Sequence, residues 1–388
     1  MLFILPYFCY HQHMQDRLVI IRNWIIQKKY KWILKPIFFK FDPEKTHDWM
    51  SNFLHLLGKY AVTRKIASAF FGYSNPILEQ NILGINFKNP IGLAAGFDKN
   101  ATLINIMPSI GFGFMEVGSI TKNPYEGNPK PRLYRLPEAK SVRVNYGLKN
   151  LGAEVLHKLL QSKNLSLPIG INIAKTNNIE TSEINKGIED YFFTYKVFQD
   201  IGDYITINIS CPNTCEKKPI FAESQNLDLL LNKIFSIPKT KPVFIKLSPD
   251  LEDIELYKIL EVCQKYPVDG FVCTNLTKVN LLGHLGQGGF SGKAVEKLSN
   301  QLIQKVYKYY DGPAKNGVNK IIIIGCGGIF NAEDAYKKIK AGASLLQLIT
   351  GMIFEGPQVI SDINLGLVKL LKADGYKNIA EAVGKENL

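Results

Sequence analysis

The sequence predicts an α/β protein, a (β/α)8 TIM barrel with a small N-terminal helical module, and three observations carry that reading. From Asn81 onward eight short apolar runs recur, at residues 90–95, 114–120, 168–174, 204–210, 242–247, 270–275, 320–325 and 344–350. Most are separated by enough chain for a crossover helix, as parallel strands require. Eight such units in about 270 residues match a TIM barrel, whereas an open doubly wound sheet usually has fewer strands and one glycine fingerprint near its start. The residues just past these runs are polar or glycine, and that is the end of a parallel sheet where enzymes keep their chemistry.

In chain order, residues 1–29 form an extension to which the sequence assigns no role. Asp42-Pro43 then starts a helix well, because Asp caps free amide groups and Pro fits the first helical position. The segment that follows places Met50, Phe53, Leu54 and Leu57 on one face, with Gly58 near its end. A second helix over residues 62–71 offers Val62, Ile66, Ala69 and Phe70 at helical spacing before Gly72 and Asn75-Pro76 stop it. The two form a small module, residues 30–75, ahead of a barrel over residues 76–388.

Within the barrel, Tyr204 to Asn213 reads YITINISCPN. Ile205, Ile207 and Ile209 alternate through a buried strand and Pro212 breaks it, leaving a cysteine, two asparagines and a serine at its carboxyl end. The other ends carry AGFDK (95–99), Gly118-Ser119, Asn172, Lys246, Thr274-Asn275, GCGG (325–328) and Ile349-Thr350-Gly351. Amides, hydroxyls, ammonium groups and glycines dominate. Asp98 is the only obvious acid, which disfavours triad and two-carboxylate chemistry. The glycine-rich GGFSG (288–292), GCGGI (325–329) and TGM (350–352) suit backbone amides approaching an anion, the phosphate site expected of the last barrel loops. A phosphate-bearing cofactor follows, with a flat heterocycle bonded by amides and Lys246 or Lys99 placed to stabilise negative charge on it.

Bulk properties narrow the class. No run reaches the length of an uncharged membrane span, since Arg22 interrupts the best candidate at residues 18–26. The opening MLFILPYFCYHQH lacks a basic region and a small-residue cleavage site, so no secretory signal is expected and the location reads as intracellular. Six scattered cysteines read as reduced thiols. Neither Cys211 with Cys215 nor His11 with His13 has the second pair a zinc site needs, so no metal is assigned. The net charge of +13 is concentrated at the amino end, where residues 1–70 hold eight lysines and three arginines against three aspartates and one glutamate. Mixed with Trp24, Trp32, Phe38, Phe39 and Trp49, that charge suits docking on an anionic lipid surface. A solvated basic arm is the plainer alternative.

The motifs FDPE (41–44), NPIGLAAGFDKN, GNPKPRLYRLP, INIAK, INISCPNT, FIKLSPDL, TNLT, GGFSGKA, IIIIGCGGI and GASLLQLITG together resemble the dihydroorotate dehydrogenases over about 350 residues. The helical module with FDPEKTH and GNPKPRLYRLP is similar to the class 2, quinone-dependent members. The resemblance implies FMN-linked oxidation of (S)-dihydroorotate to orotate in pyrimidine synthesis, with electrons passed to a membrane quinone by a peripheral membrane protein, on the cytoplasmic face of the cell membrane if bacterial. FMN partners would be Ala95, Gly96, Lys99, Ser119, Asn172, Asn208, Lys246, Thr274, Gly292, Gly328, Ile349 and Thr350. Substrate would be held by Lys99, Asn145, Gly147, Leu148, Asn208, Asn213, Asn275 and Leu276, and the catalytic base falls on Cys211. His47 and Arg135 would be polar groups at the inner end of a quinone tunnel built by residues 30–75. Five positions depart from the class 2 pattern. Cys211 stands where class 2 has serine, Val144-Asn145 replaces an Asn-Arg pair, Leu276 replaces a hydroxyl residue, and Ile349 stands where tyrosine is common.

A thiol suits the base role, since its reference pKa of about 8.5 makes a thiolate accessible where a serine needs a relay. Three rival readings remain at this point: the same oxidation with a soluble acceptor such as fumarate or NAD, a flavin barrel acting on RNA like the dihydrouridine synthases, and a basic barrel that binds lipid or nucleic acid without turnover. The RNA enzymes add a helical domain after the barrel, and here only about 35 residues follow the last run, so no nucleic-acid partner is expected.

Overall fold

The computed structural model describes residues 4–163, 165–216, 218–279, 283, 286–311 and 321–387, with side chains from Met14 onward except those of Asp311 and Asn387. The side chains of His11 and His13, and Lys320 at the start of the seventh predicted strand, lie outside the described residues. Eight parallel strands close into a barrel in sequence order: β1 (Ile91–Leu93), β2 (Phe114–Ile120), β3 (Ile169–Ile173), β4 (Tyr204–Asn208), β5 (Val243–Leu247), β6 (Gly270–Cys273), β7 (Ile322–Cys326) and β8 (Leu345–Leu348). All eight predicted runs contain barrel strands, with ends that agree to within two residues. Crossover helices such as Ile184–Val197, Ser224–Ile234 and Val359–Ala373 pack their apolar faces on the outside of the strands.

Alternate residues on each strand point into the barrel. The lowest layer there is apolar and interdigitated, with Phe114, Tyr204 and Phe244 in one cluster. Three glycines make room for those rings: a β-carbon on Gly92 would lie 2.4 Å from Phe114, one on Gly170 2.2 Å from Tyr204, and one on Gly270 2.5 Å from Phe244. The layer above is polar, with Glu116, Asn172, Thr206, Lys246 and Gln347 all buried. Polar side chains thus reach up the barrel axis toward its mouth.

Four helical segments precede the barrel: α1 (Ile4–Lys29), which runs through a π-helical turn (Tyr30–Leu34) into α2 (Lys35–Lys40), then α3 (Pro43–Lys59) and α4 (Ala61–Phe71). The helix therefore passes residue 29 without a break. Arg22 turns inward and donates to the carbonyls of Ala69 (2.9 Å) and Gly72 (3.1 Å) and to Ser361 Oγ (2.8 Å). Asn23, fully buried, donates to Ser361 and to Asp362 Oδ1 at 2.7 Å. These bonds tie α1 to α4 and to the helix Val359–Ala373. Asp42 caps α3 as its sequence predicts, accepting from Lys45 N at 2.9 Å.

On α4 the apolar residues divide between two faces. Val62, Ile66 and Phe70, three of the four that the sequence aligns at helical spacing, are more than half exposed, and Ala67 and Phe71 face the protein. Two apolar stripes share this short helix, and the stripe of smaller width fits against the helix Met107–Ile110. Phe38 and Phe39, grouped by sequence with the lipid-facing aromatics, likewise turn inward, whereas Trp24, Trp32 and Trp49 are exposed.

One buried ion pair fastens α3 to the barrel. Arg132 Nη2 and Nε donate to the Glu44 carboxylate at 2.7 and 3.1 Å, and Arg132 Nη1 reaches the carbonyls of Glu126 and Asn128, both at 2.8 Å. Both side chains are less than a twentieth exposed. Burial alone would raise the Glu44 carboxyl, but the Arg132 hydrogen bonds and charge outweigh it and hold it below its usual range. Because the folded-state value is depressed, this stabilisation is complete above the ordinary value near 4.5 and is lost as pH falls below it. We expect Arg132→Ala, which strands a buried carboxylate, to cost about 3–5 kcal/mol in urea unfolding at pH 7, with a smaller difference from wild type at pH 3.

Candidate active site

The carboxyl ends of the strands, the loop after β2 and helices α2 to α4 enclose one continuous cavity of about 550 Å³. At the barrel mouth it is walled by Ala95, Gly96, Lys99, Ser119, Asn208, Lys246, Thr274, Gly292, Gly328, Ile349 and Thr350. Gly147, Leu148, Cys211, Asn213, Asn275 and Leu276 line the same space, and His47 and Arg135 lie where it enters the helices. Two predicted contacts stand behind the wall instead. Asn172 is fully buried and bonds Glu116 and Ser119. Asn145 accepts from Asn128 Nδ2 at 3.1 Å, and Asn128 in turn donates to Asn213 O at 3.0 Å.

Two lysines at the mouth have no ion-pair partner among the described residues. Lys246, on β5, is 5% exposed, its ammonium has no hydrogen-bond partner among those residues, and its strand direction aims it into the cavity. Lys99 sits over the Tyr146 ring at 4.1 Å, and burial depresses its ammonium to about 8. Buried cations without partners are costly. A bound anion or electron-rich ring would compensate them, and a ligand carrying N–H groups would give the orphaned Asn213 Oδ1 a donor.

The loops that follow β7 and β8 have the shape a phosphate needs. Gly327 and Gly328 have φ of 114° and 78°, and a β-carbon on Gly328 would lie 2.4 Å from Glu296. Only glycine fits that turn. Ser291 Oγ and Thr350 Oγ1 lie 2.8 Å apart at the same edge. These donors fit a phosphorylated, flat, hydrogen-bonding cofactor.

Cys211 lies on the loop beyond β4 with Asn208 and Asn213 on either side. Burial pushes its thiol up to about 11, partly offset by the Asn213 backbone N–H and the Lys246 charge. The loop is pinned from below. Lys175 pairs with Glu216, Asn177 Oδ1 accepts from Cys215 N at 2.8 Å, and Ser182 donates to Glu216 at 2.9 Å. The neutral-pH thiolate expected from the reference value is therefore a minor species in the ligand-free site.

Toward the helices the walls turn apolar: Phe38, Met50, Phe53, Leu54 and Leu57 face the cavity, as the predicted α3 stripe requires. His47 packs edge-on against Phe97 (4.8 Å), and burial together with the Lys99 charge drives its imidazole down to about 3, so it is neutral at physiological pH. Arg135 donates to Phe41 O at 2.8 Å and lies 4.8 Å over Phe39. Tyr30, missed by sequence, lines the same end and donates to Ile353 O at 2.6 Å. Tyr146 and Glu116 were also missed. For Glu116 a signal existed, a lone acid inside the otherwise uncharged strand FMEVGSI.

Comparison with known proteins agrees with this geometry. A family model described as dihydroorotate dehydrogenase matches residues 77–371. A relative from Sulfurovum sp. (strain NBC37-1) named dihydroorotate dehydrogenase (quinone) is 40% identical over 359 residues, covering 91% of this chain and 97% of that protein. One of the same name from Trichodesmium erythraeum (strain IMS101) is 35% identical over 387 residues, covering 92% and 99%. Among solved structures, that of DHODH from Eimeria tenella in complex with ferulenol superposes with a TM-score of 0.76 at 30% identity, over 88% of this chain and 95% of that one.

The raised thiol predicts how Cys211 reacts. Its alkylation by iodoacetamide in the ligand-free protein, followed by peptide mapping, should climb about tenfold per pH unit between pH 7 and 10, because the thiolate is the reacting species. A plateau below pH 9 would contradict the assignment.

Proposed function

This chain belongs to the dihydroorotate dehydrogenase family, in its quinone-dependent class, and we propose how its cavity serves the two halves of that reaction. It oxidises (S)-dihydroorotate to orotate, a step of pyrimidine synthesis, and passes the electrons to a quinone. One observation carries the proposal: a single cavity joins the amide-lined mouth around Cys211 to the apolar helices around His47 and Arg135.

FMN is the cofactor we assign to the mouth, where it would supply a hydride acceptor that hands its electrons on. Lys246, Lys99, Ser119, Asn208, Thr274 and the backbone of Ala95 and Gly96 would hold its ring, with Asn172 acting through Ser119. Gly292, Gly328, Ile349 and Thr350 would hold its phosphate. The unpartnered Lys246 ammonium supports this, since negative charge on a reduced ring would rest against it.

Lys99, Asn208, Asn213, Asn275 and the Gly147-Leu148 backbone would grip the anionic substrate, with Leu276 as an apolar wall. Leu148 has φ of 71°, unusual for a leucine, and is held there by Asn150 Nδ2 donating to its carbonyl at 2.9 Å. Asn145 would act through Asn128, which holds the Asn213 carbonyl. Cys211 takes the proton from the carbon next to the carbonyl while a hydride leaves its neighbour. The Asn213 N–H and Lys246 charge favour the thiolate against its burial.

At the other end, neutral His47 and the Arg135 guanidinium would meet the quinone oxygens. Residues 30–75 form the tunnel, the extension before them carries the helix onward, and residues 76–388 form the flavin barrel. No helix among the described residues is long and apolar enough to cross a membrane. Trp24, Trp32, Trp49, Val62 and Ile66 are all more than half exposed, and Lys28 lies 4.9 Å over Trp32. That basic, aromatic face would dock on the anionic surface of the membrane that holds the quinone, making the protein peripheral.

Mixed anaerobically with dihydroorotate, the yellow holoprotein should bleach near 450 nm and recover its colour with a quinone but not with fumarate or NAD. Cys211→Ser should slow bleaching by about 10²–10⁴ and shift its pH profile, in line with loss of a positioned base; an unchanged rate and profile would remove Cys211 from the role. Replacing Trp24 and Trp32 with Glu should release the protein from vesicles containing anionic lipid in a flotation assay while leaving the bleaching rate within about twofold, because both side chains point away from the cavity.

A further inference from the structure

Beneath the site, the Glu116 side chain is fully buried on β2, in the polar layer of the barrel. Its Oε1 accepts from Asn172 Nδ2 at 2.7 Å. Its Oε2 accepts from Gln347 Nε2 at 2.9 Å, from Thr206 Oγ1 at 3.1 Å and from Tyr204 Oη at 3.4 Å. Four donors from three other strands converge on one carboxylate that touches neither the cavity nor solvent. Nothing in the reaction as described uses it.

A carboxylate can only accept, and that fixes the direction of every bond beyond it. Asn172 must turn its NH2 to Glu116, so its carbonyl oxygen faces Ser119. Ser119 Oγ spends its single proton on Asn172, so it accepts from Asn208 Nδ2, at 2.9 Å. Asn208 then presents its oxygen outward, where it accepts from Ser210 N at 3.2 Å and from Asn275 Nδ2 at 3.1 Å. The backbone N–H of Ser210 demands that same oxygen, so both ends of the chain agree on its direction. The Asn275 amide spends its second proton on Ser210 Oγ, at 3.1 Å, whereas one proton remains on the Asn208 amide, which lines the cavity. Reversing the chain would present the Asn208 carbonyl oxygen there instead.

We infer that Glu116 is a positioning residue, which acts through Asn172 and Ser119 to hold the Asn208 amide with its N–H toward an anionic, carbonyl-bearing substrate. The inference rests on the functional reading above, since that amide is one of its substrate contacts. It also explains why Asn172 stands behind the wall: it relays orientation rather than touching the bound molecule.

The test uses the FMN holoprotein, with orotate affinity read from the perturbation of the flavin band, FMN content from absorbance, and thermal unfolding as the structural control. In Glu116→Gln one oxygen becomes a donor facing Asn172. We expect FMN content to hold and the melting temperature to move by only a few degrees, while orotate Kd rises at least tenfold. Thr206→Val removes a neighbour of Glu116 that is outside the chain, and should leave orotate Kd within about threefold. The double variant E116Q/N172D moves the carboxylate one residue along the chain: the new amide at position 116 would donate to the new carboxylate at position 172, which would accept from Ser119 as Asn172 does. It should restore orotate Kd to within about threefold of wild type, and it carries the test alone if E116Q does not fold. An E116Q protein that binds orotate as wild type does, or a folded double variant still weakened more than tenfold, would overturn the inference. A wild-type protein whose flavin band ignores orotate would overturn the functional reading and this inference with it.

Discussion

The Glu44–Arg132 ion pair is the constraint on which the shared cavity depends, because it fastens α3 to the barrel at the cavity wall. Glu44 belongs to the first turn of α3 and Arg132 to the loop that bounds the barrel mouth. Taking two charges out of water is expensive, and the pair repays it only because Arg132 also spends donors on the carbonyls of Glu126 and Asn128. Its orientation is therefore set by the barrel loop as well as by α3. Tyr146, under both the Arg132 and Lys99 cations, ties this fastening to the site itself. The motifs FDPE and GNPKPRLYRLP thus belong together: one supplies the carboxylate and the other the fork that receives it.

Along the cavity so formed, polarity changes end to end. The mouth holds cations, amides and a thiol, while the helical end is hydrocarbon with two polar groups set into it. That gradient separates a step that moves a proton and a hydride from one that delivers electrons to an apolar acceptor. It also explains the neutral His47. A charged imidazole against Phe97 would carry a desolvation cost and repel Lys99.

The barrel was legible in the sequence because its strands are buried on both faces and read as short, mainly apolar runs between turn residues, a signal that survives without any partner information. The Asp42-Pro43 cap and the α3 stripe were legible for the same local reason. The long helix of residues 4–40 was not, because Leu18, Ile20, Ile21, Trp24 and Ile25 wrap around it without a single stripe, and its contacts come from Arg22 and Asn23, polar residues reaching a helix more than three hundred positions away. Which of the two apolar stripes of α4 meets the protein is decided only by tertiary packing. Asn145 and Asn172, which the resemblance assigns to the substrate and the cofactor, lie just behind the cavity wall. Strand position shows which way a side chain points, and it takes the hydrogen bonds to show what stands in front.

The chain combines a cysteine where the class 2 pattern has serine with a helical module of the quinone-dependent kind, and the two are compatible on physical grounds. A base needs only to reach the substrate carbon, and the loop of Cys211 is held by Lys175, Glu216, Asn177 and Asn128, all in loops of the barrel. The acceptor end is held by a different set, in which Arg135 takes the Phe41 carbonyl as its partner while the aliphatic Ile349 stands nearby without a hydroxyl to offer. Each half of the reaction has its own supports, and Arg132 joins them, bonding both the Asn128 carbonyl and Glu44 of α3. On the role proposed for Cys211, exchange of serine for cysteine changes the proton affinity of the base, so the identity of residue 211 bears on the pH dependence of substrate oxidation rather than on which acceptor is used.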